Sequence, residues 1–442
     1  MTVNCGVAGV MWTESGLFGK AGLLEAAGLQ RTSSEDLPYS EAIALCYMPG
    51  GGSLAAGAGI GAAWEPALLA ATGEAIERQC LRVSPQLERS ARWAPASELK
   101  GRVLAPGSWP MFTDAQHARP DFPYPPFDDS PRYWVEATSL ADRSAIWVPA
   151  TLVWLGTPAA GDHLLTSGIS TGSASHVERD RALLSGLYES VERDALAIVW
   201  ESRAVTGLLD PRAPWQDPEL RRLDDYADAR GLRLLLREIT TDLGLPTVLA
   251  VLRDPRRRRP AMTIGSATRA CVRDASLRAA MECVHCWGWV RDEHRKRVDE
   301  SYEQAYAAAS KPTEMLAHAF LYGFPEAEEH ARHLWSDAEF EDTPVGPLAH
   351  ERPLSPEAEL AIAVERLVGQ GYEPLSVDIA TPDVAALGFH VYKTLVPATV
   401  PLSVGSWCRH LGNPRIKMVP AARGWKHPGP LPVDAGVPHP LP

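Results

Sequence analysis

Two short segments of the chain repeat one arrangement of charge: Glu74, Glu77 and Arg78 in GEAIER, and Glu189, Glu192 and Arg193 in YESVERDA. On a helix, residues three apart project from one face, so each segment presents paired carboxylates beside a guanidinium. A third segment sets Arg278 and Glu282 four apart, again on one face. Paired carboxylates supply the oxygen ligands that a hard cation such as Mg²⁺ requires, and arginine offers a planar fork for phosphate oxygens. The chemistry suggested is the holding of a polyphosphate with its metal ions. Taken singly, each segment equally suits a solvated helix face with a local ion pair. The repeat of one spacing, each time after a glycine-rich run (48–61 and 166–175), points instead to a shared acidic site.

The segment that must position most of this chemistry is 166–203. A run of small residues, TSGISTGSAS, leads into a helix whose apolar stripe is Leu184, Leu187, Val191, Ala195 and Ile198. Upstream, 16–29 reads as a glycine-flanked start and a short helix carrying Lys20, and 41–48 reads as a strand. MPGGGSLAAGAGIG (48–61) reads as a flexible or tightly turning loop. It lacks the Gly-Lys-Ser/Thr of a Walker phosphate loop. A helix over 66–82 opens with Pro66 and carries GEAIER.

Residues 93–134, rich in proline and aromatics, read as a surface loop or lid, and IWVPATLVWL (146–155) as strands with a proline-marked edge. The apolar runs 231–240 and 245–254 read as neighbouring strands, and RDPRRRRP (253–260) as a solvated basic turn. Residues 263–290 run from a strand into a helix with Asp274 as the expected N-cap. Cys283 and Cys286, with His285 between them, lack a second cysteine pair and read as buried thiols rather than a zinc site. Residues 300–352 read as an acidic peripheral insertion. A helix over 355–372 is capped by Ser355 and followed by late strands, and the proline-rich tail reads as polyproline II.

A chain of 442 residues, 45% hydrophobic and 22% charged, has enough apolar material for a sizeable core. Its net charge of −12 disfavours nucleic acid and anionic membrane as partners. No 18-residue apolar run and no positively charged signal region are present, and seven cysteines suit a reducing compartment, so a cytoplasmic protein is expected.

Together, GEAIER, STGSAS followed by YESVERDA, and the Arg278–Glu282 helix resemble the YcaO family in order and spacing. The resemblance implies an α/β fold, mixed sheets flanked by helices with an ATP and Mg²⁺ site between helices. One catalytic unit is expected over 1–442: an N-terminal part (1–65), a core (66–300), the insertion (300–352) and a C-terminal part (353–442). Carried over by motif, Glu74, Glu77, Glu189, Glu192 and Glu282 would hold the metals. Lys20, Arg193, Arg278 and the loop from Ser170 to Ala174 would contact nucleotide. Departures are Arg181, where many members place an acidic residue, and Ala27 and Val177 where some relatives have polar nucleotide contacts.

The resemblance further implies phosphorylation of a peptide amide attacked by a nucleophile. The ending PHPLP matches the P-x-P-x-P terminus of azoline-forming members, so Pro442 or His439 would act at the reacting centre. The expected activity is an ATP-dependent cyclodehydratase making a thiazoline or oxazoline on a ribosomally made precursor peptide, stand-alone as in bottromycin-like pathways. Macroamidine or thioamide formation, a non-catalytic peptide-binding protein and a metallohydrolase are the alternatives, and a homodimer is among the expected states.

Overall fold

The computed structural model describes residues 23–29, 39–47, 54–82, 90–155, 161–311, 315–336, 346–350 and 352–441. A first sheet is antiparallel, in the order β1 (Leu24–Leu29), β2 (Ser40–Tyr47), β3 (Leu54–Gly61), and helix α1 (Trp64–Cys80) lies on it. Two expectations change here. The helix expected over 16–29 is a strand in its described part, because LEAAGL pairs with β2 in the register Ala27 with Ala44. Ladder bonds with a partner strand outweigh a weak local helix preference. The expected loop over 48–61 is strand β3 from residue 54 on. Its glycines serve close approach rather than flexibility: a Cβ at Gly57 or Gly59 would collide with the carbonyl oxygens of Ala71 and Ala67. Helix α1 answers with Ala67, Ala71 and Ala75 at four-residue spacing, all fully buried.

A seven-stranded sheet runs β5 (Arg102–Val103), β7 (Ala145–Pro149), β6 (Arg132–Ser139), β13 (Leu375–Asp378), β14 (His390–Leu395), β8 (Ser173–His176), with β4 (Arg92–Ala94) also on β6. Its pairs are antiparallel except β5 with β7. The segment 93–134, expected at the surface, sends Trp109, Met111, Phe112 and Tyr124 into the core between α1 and this sheet. Helix α2 (Arg179–Ser202) follows β8, and 18 of its 24 residues are buried. Its expected stripe is therefore one side of a helix packed on several sides.

The third sheet is antiparallel, β12 (Met262–Thr268), β11 (Thr247–Arg253), β10 (Arg233–Glu238), β9 (Leu208–Leu209). The two apolar runs are indeed neighbours, with Leu236 opposite Ala250. Helices α3 (Pro218–Ala229) and α4 (Val272–Lys296) cover it through Leu220, Leu223, Ala279 and Cys283. Cys271 stands at the N-cap of α4, without a side-chain cap bond. Asp274 lies in the first turn instead, where the helix dipole favours its charge. Cys283 donates to the carbonyl of Thr263 at 3.3 Å as a buried thiol.

Helices α5 (Tyr302–Ala309) and α6 (Met315–Tyr322) belong to the segment read as peripheral from its charge. Their other face buries Phe320, Leu321 and Tyr322 against the C-terminal half of α2. Helix α7 (Pro356–Gly369) starts as its sequence indicates, with Ser355 Oγ accepting from the Ala358 amide at 3.2 Å. Helix α8 (Arg415–Ala422) brings Arg415 to Asp194 of α2 at 2.6 Å, and the preceding Arg409 reaches Glu201 at 2.6 Å. Thus α2 packs against β8, β14, β12, α7 and α8, the position from which its side chains meet every other part of the site. Among the described residues, no helix is long and apolar enough to cross a membrane.

Candidate functional site

Helices α1, α2 and α4 bring the five carboxylates into one electrostatic field. Glu74 is influenced by Glu282 and Glu189, Glu77 by Glu189 and Glu74, and Glu192 by Glu282 and Glu189. Each is held by its own neighbours. Glu74 accepts from the Ala58 amide at 2.7 Å and pairs with Arg78 at 2.5 Å, while Arg78 also donates to the Ala56 carbonyl at 2.6 Å. Glu77 accepts from Ser173 Oγ at 2.7 Å, Glu189 from the Gly172 amide at 3.1 Å, and Glu192 from Ser266 Oγ at 2.7 Å. Burial, reinforced by Glu189, holds the Glu77 carboxyl well above the usual carboxylate range. Burial pushes Glu192 up to about 7, with Glu282 adding to the effect and Arg193 opposing it.

Arg193 lies 3.3 Å from Glu189 and 3.2 Å from Glu192. Burial works against its charge, but Glu192, Glu189 and Glu282 outweigh that and hold it firmly protonated. On the Glu282 side, Arg278 is half-buried and close enough to Arg269 to oppose its protonation. Burial is the larger cause of the lowered Arg269 value. Among the described residues no ion pair joins Arg278 and Glu282, so the simple i,i+4 pair that their spacing allows does not form.

The small-residue loop is fastened from below by β14. Lys393 Nζ donates to the carbonyls of Ile169 at 2.9 Å and Thr171 at 2.6 Å, and the Thr394 amide donates to the Gly172 carbonyl at 2.6 Å. Gly172 has φ of +84°, and a Cβ there would strike the Thr394 carbonyl, so glycine is required on both grounds. Ser170 turns the loop by accepting from the Ser173 amide at 2.9 Å, and Ala174 is a ladder residue of β8 opposite Tyr392. Burial pushes the Lys393 ammonium down to about 8, although Glu189 and Glu77 support its charge. Sequence reasoning missed Lys393, Arg269 and Ser266. A lysine in the strand-like run FHVYKTLV was the available signal for the first.

The tail is tucked in. Tyr322 donates to the Pro438 carbonyl at 2.7 Å, Trp200 to Val437 at 3.3 Å, and Arg409 to the Leu431 and Pro432 carbonyls at 3.1 Å. His439 is 2% exposed, its Nε2 contacts the Ser403 carbonyl at 2.9 Å, and its ring sits 4.6 Å from that of His318. Burial, then His318 and Arg193, hold its basicity far below the ordinary range. A ring whose Nε2–H is used on a carbonyl and whose basicity is so reduced is poorly matched to taking a proton near neutral pH. Arg193 is near enough to His439 for its charge to act on the ring. Lys20 and Pro442 lie outside the described residues.

Among the described residues, no three carboxylate, cysteine or histidine side chains converge on a single metal position. Mg²⁺ commonly takes only one or two carboxylates, with phosphate oxygens and water completing its shell. The surroundings fit such an ion with its polyphosphate. Burial, reinforced by neighbouring carboxylates, makes Glu77 and Glu192 resist ionisation, and burial with the nearby Arg278 charge disfavours the Arg269 guanidinium; cations relieve the first strain and phosphates the second.

These features define an α/β protein of the kind that binds a nucleoside triphosphate with its metal. The chain belongs to the YcaO cyclodehydratase family, ATP- and Mg²⁺-binding, whose sequence profile matches residues 58–400. A protein from the tfuA 3′ region of Rhizobium leguminosarum bv. trifolii is 32% identical over 125 residues, 27% of this chain and 29% of that one. A Methanothermobacter thermautotrophicus protein is 31% identical over 151 residues, 34% of this chain and 39% of its own. Among solved structures, a heterocyclase in complex with substrate and cofactor superposes with a TM-score of 0.75 at 22% identity, over 96% of this chain and 55% of that one. YcaO from Methanopyrus kandleri, bound with AMPPCP and Mg²⁺, gives 0.58 at 22% identity over 85% and 86%. The chain thus spans little more than half of the first of these structures, and the matched segments span under two fifths of the two sequence relatives.

Proposed function

We propose that this protein is an ATP-dependent cyclodehydratase that converts a cysteine, or a serine or threonine, of a ribosomally made precursor peptide into a thiazoline or oxazoline. The observation that carries the reading is that Glu74, Glu77, Glu189, Glu192 and Glu282, drawn from three helices, act on one another's charge, with Arg193 paired to two of them. In this reading the five carboxylates hold Mg²⁺, and Arg193 and Arg278, with the loop from Ser170 to Ala174, hold the phosphates. ATP supplies a phosphoryl group to the amide oxygen, making it a leaving group.

The chain's own residues do the rest. Lys393 clamps the loop through two carbonyls, so the loop is ordered before the nucleotide arrives. Arg193 stays charged within the acidic cluster and provides a fixed positive field where the amide oxygen becomes negative. The side-chain thiol or hydroxyl adds to the amide carbon and gives its proton to the C-terminal carboxylate of Pro442; the phosphorylated oxygen then departs as phosphate while the amide nitrogen releases its proton to solvent and forms the C=N bond. The product is the peptide less one water, with ATP converted to ADP and phosphate. The test is phosphate release that requires ATP, Mg²⁺ and a cysteine-containing precursor peptide together, with mass spectrometry of the peptide. A peptide that is unmodified while ATP is hydrolysed at the same rate without it would refute the assignment.

A further inference from the structure

A cavity of about 60 Å³ is bordered by Arg193 and Lys393. At ~15 Å³ of such space per water, it holds about four waters, or one aliphatic side chain. Its walls are mainly apolar, with Trp109, Met111, Trp154, Leu155 and Val396 contributing. Among the residues lining it, Trp154 Nε1, Thr151 Oγ1 and one Arg193 guanidinium nitrogen are buried with no hydrogen-bond partner among the described residues, Arg193 keeping its ion pairs. An indole N–H can only donate, and leaving it unpaired in a buried site is costly. An apolar lining with unpaired donors matches a segment of peptide, whose side chain fills the space and whose carbonyl oxygen accepts.

Resting on the cyclodehydratase reading, we infer that this cavity receives the aliphatic side chain of the substrate residue that precedes the one cyclised, with Trp154 Nε1 donating to the carbonyl on the N-terminal side of that residue, so that its own carbonyl stays free to react. Arg193 and Lys393 join the cavity to the loop and the carboxylates, so a residue seated here places its own carbonyl at the reacting centre. The substrate class is then a peptide with valine, leucine or isoleucine beside the modified residue, and a charged residue at that place is rejected.

The test uses two capped dipeptides, N-acetyl-leucyl-cysteinamide and N-acetyl-aspartyl-cysteinamide, with the full-length chain. Binding is read by saturation-transfer NMR, and ATP–Mg²⁺ binding is measured in parallel by calorimetry. The leucyl peptide should bind at least about tenfold more tightly than the aspartyl one, as expected for seating one buried aliphatic side chain. Trp154→Phe keeps the ring, removes the donor and should weaken the leucyl peptide about fivefold. Leu155→Trp fills the space and should erase the preference, and ATP binding should survive in both variants. Equal binding of the two peptides, or a leucyl affinity unmoved by both substitutions, would overturn the inference. A leucine preference that depends on Trp154 in a chain that binds no ATP would uphold the pocket and refute the functional reading instead.

Discussion

Deleting Pro438–Pro442 separates the role of the tail in chemistry from its role in the fold. Few interactions hold this segment in place. Leu441 is 1% exposed, and returning its side chain to water costs about 2 kcal/mol. The Tyr322 bond to the Pro438 carbonyl and the His439 bond to the Ser403 carbonyl contribute roughly 1 kcal/mol each, and the unpaired Tyr322 hydroxyl costs about 1 kcal/mol more. Against about 5 kcal/mol of destabilisation, five residues recover backbone freedom worth roughly 5 kcal/mol, at the lower end per residue because three are proline. Burial of Pro438, His439 and Pro440 adds to the first side, so the truncated chain should melt below the full chain while still binding ATP–Mg²⁺. Turnover should behave differently. A positioned proton acceptor is worth about 10²–10⁴ in rate, and the peptide product should fall by at least about 100-fold in a quenched mass-spectrometric time course. His439→Gln retains a donor for the Ser403 carbonyl and, since the imidazole is too weak a base, should keep most of the rate. A truncated enzyme that cyclises peptide at the full rate would refute the reasoning. So would a His439→Gln variant as inactive as the truncation.

Three further outcomes are expected. Glu189→Gln and Glu282→Gln should abolish peptide-dependent phosphate release while leaving the melting temperature unchanged or slightly raised, since each removes one of several crowded like charges; wild-type ATP consumption in both sinks the metal assignment. Arg278→Lys should weaken ATP binding by about tenfold in calorimetry, because an ammonium cannot replace the two parallel bonds of a guanidinium; an unchanged affinity counts against its phosphate role. The third concerns acid. Burial lowers His318 and His410 to about 4 and His333 to about 3, below their unfolded value, so the unfolded chain takes up protons first as pH falls. Their contribution is complete above pH 6.5 and is lost on acidification toward 4, by up to about 1.4 kcal/mol per pH unit for each histidine. Denaturant melts between pH 7.5 and 5 should show this slope, and His333→Phe should flatten it; equal slopes in variant and parent contradict the reasoning.

Most of the site was legible because its helices carry their spacing in the chain itself. Glu74 and Glu77, Glu189 and Glu192, and Arg278 and Glu282 needed only helical periodicity to be placed on common faces. The strands at 231–240 and 245–254, and the Ser355 cap, were legible for the same local reason. Errors came where a long-range partner overrode local preference. LEAAGL is a strand only because β2 lies beside it, and the glycines of 54–61 mark a helix packed on the strand rather than a turn. Charge on the exposed face of 302–335 hid Phe320 and Tyr322 on the other.

The sequence by itself determined the three Glu/Arg helices, the small-residue loop, the stiff proline ending and the family. Those signals are short-range, since a helix face, a cap or a proline is encoded within a few neighbouring residues. Only the tertiary structure decided that the five carboxylates share one field, that Lys393 of a distant strand clamps the loop, and that His439 is buried beside His318. Proton affinity and proximity depend on what surrounds a residue in space: Glu192 owes its raised value to burial and to Glu282, which stands 90 residues further along the chain. No pattern of neighbouring residues encodes that distance.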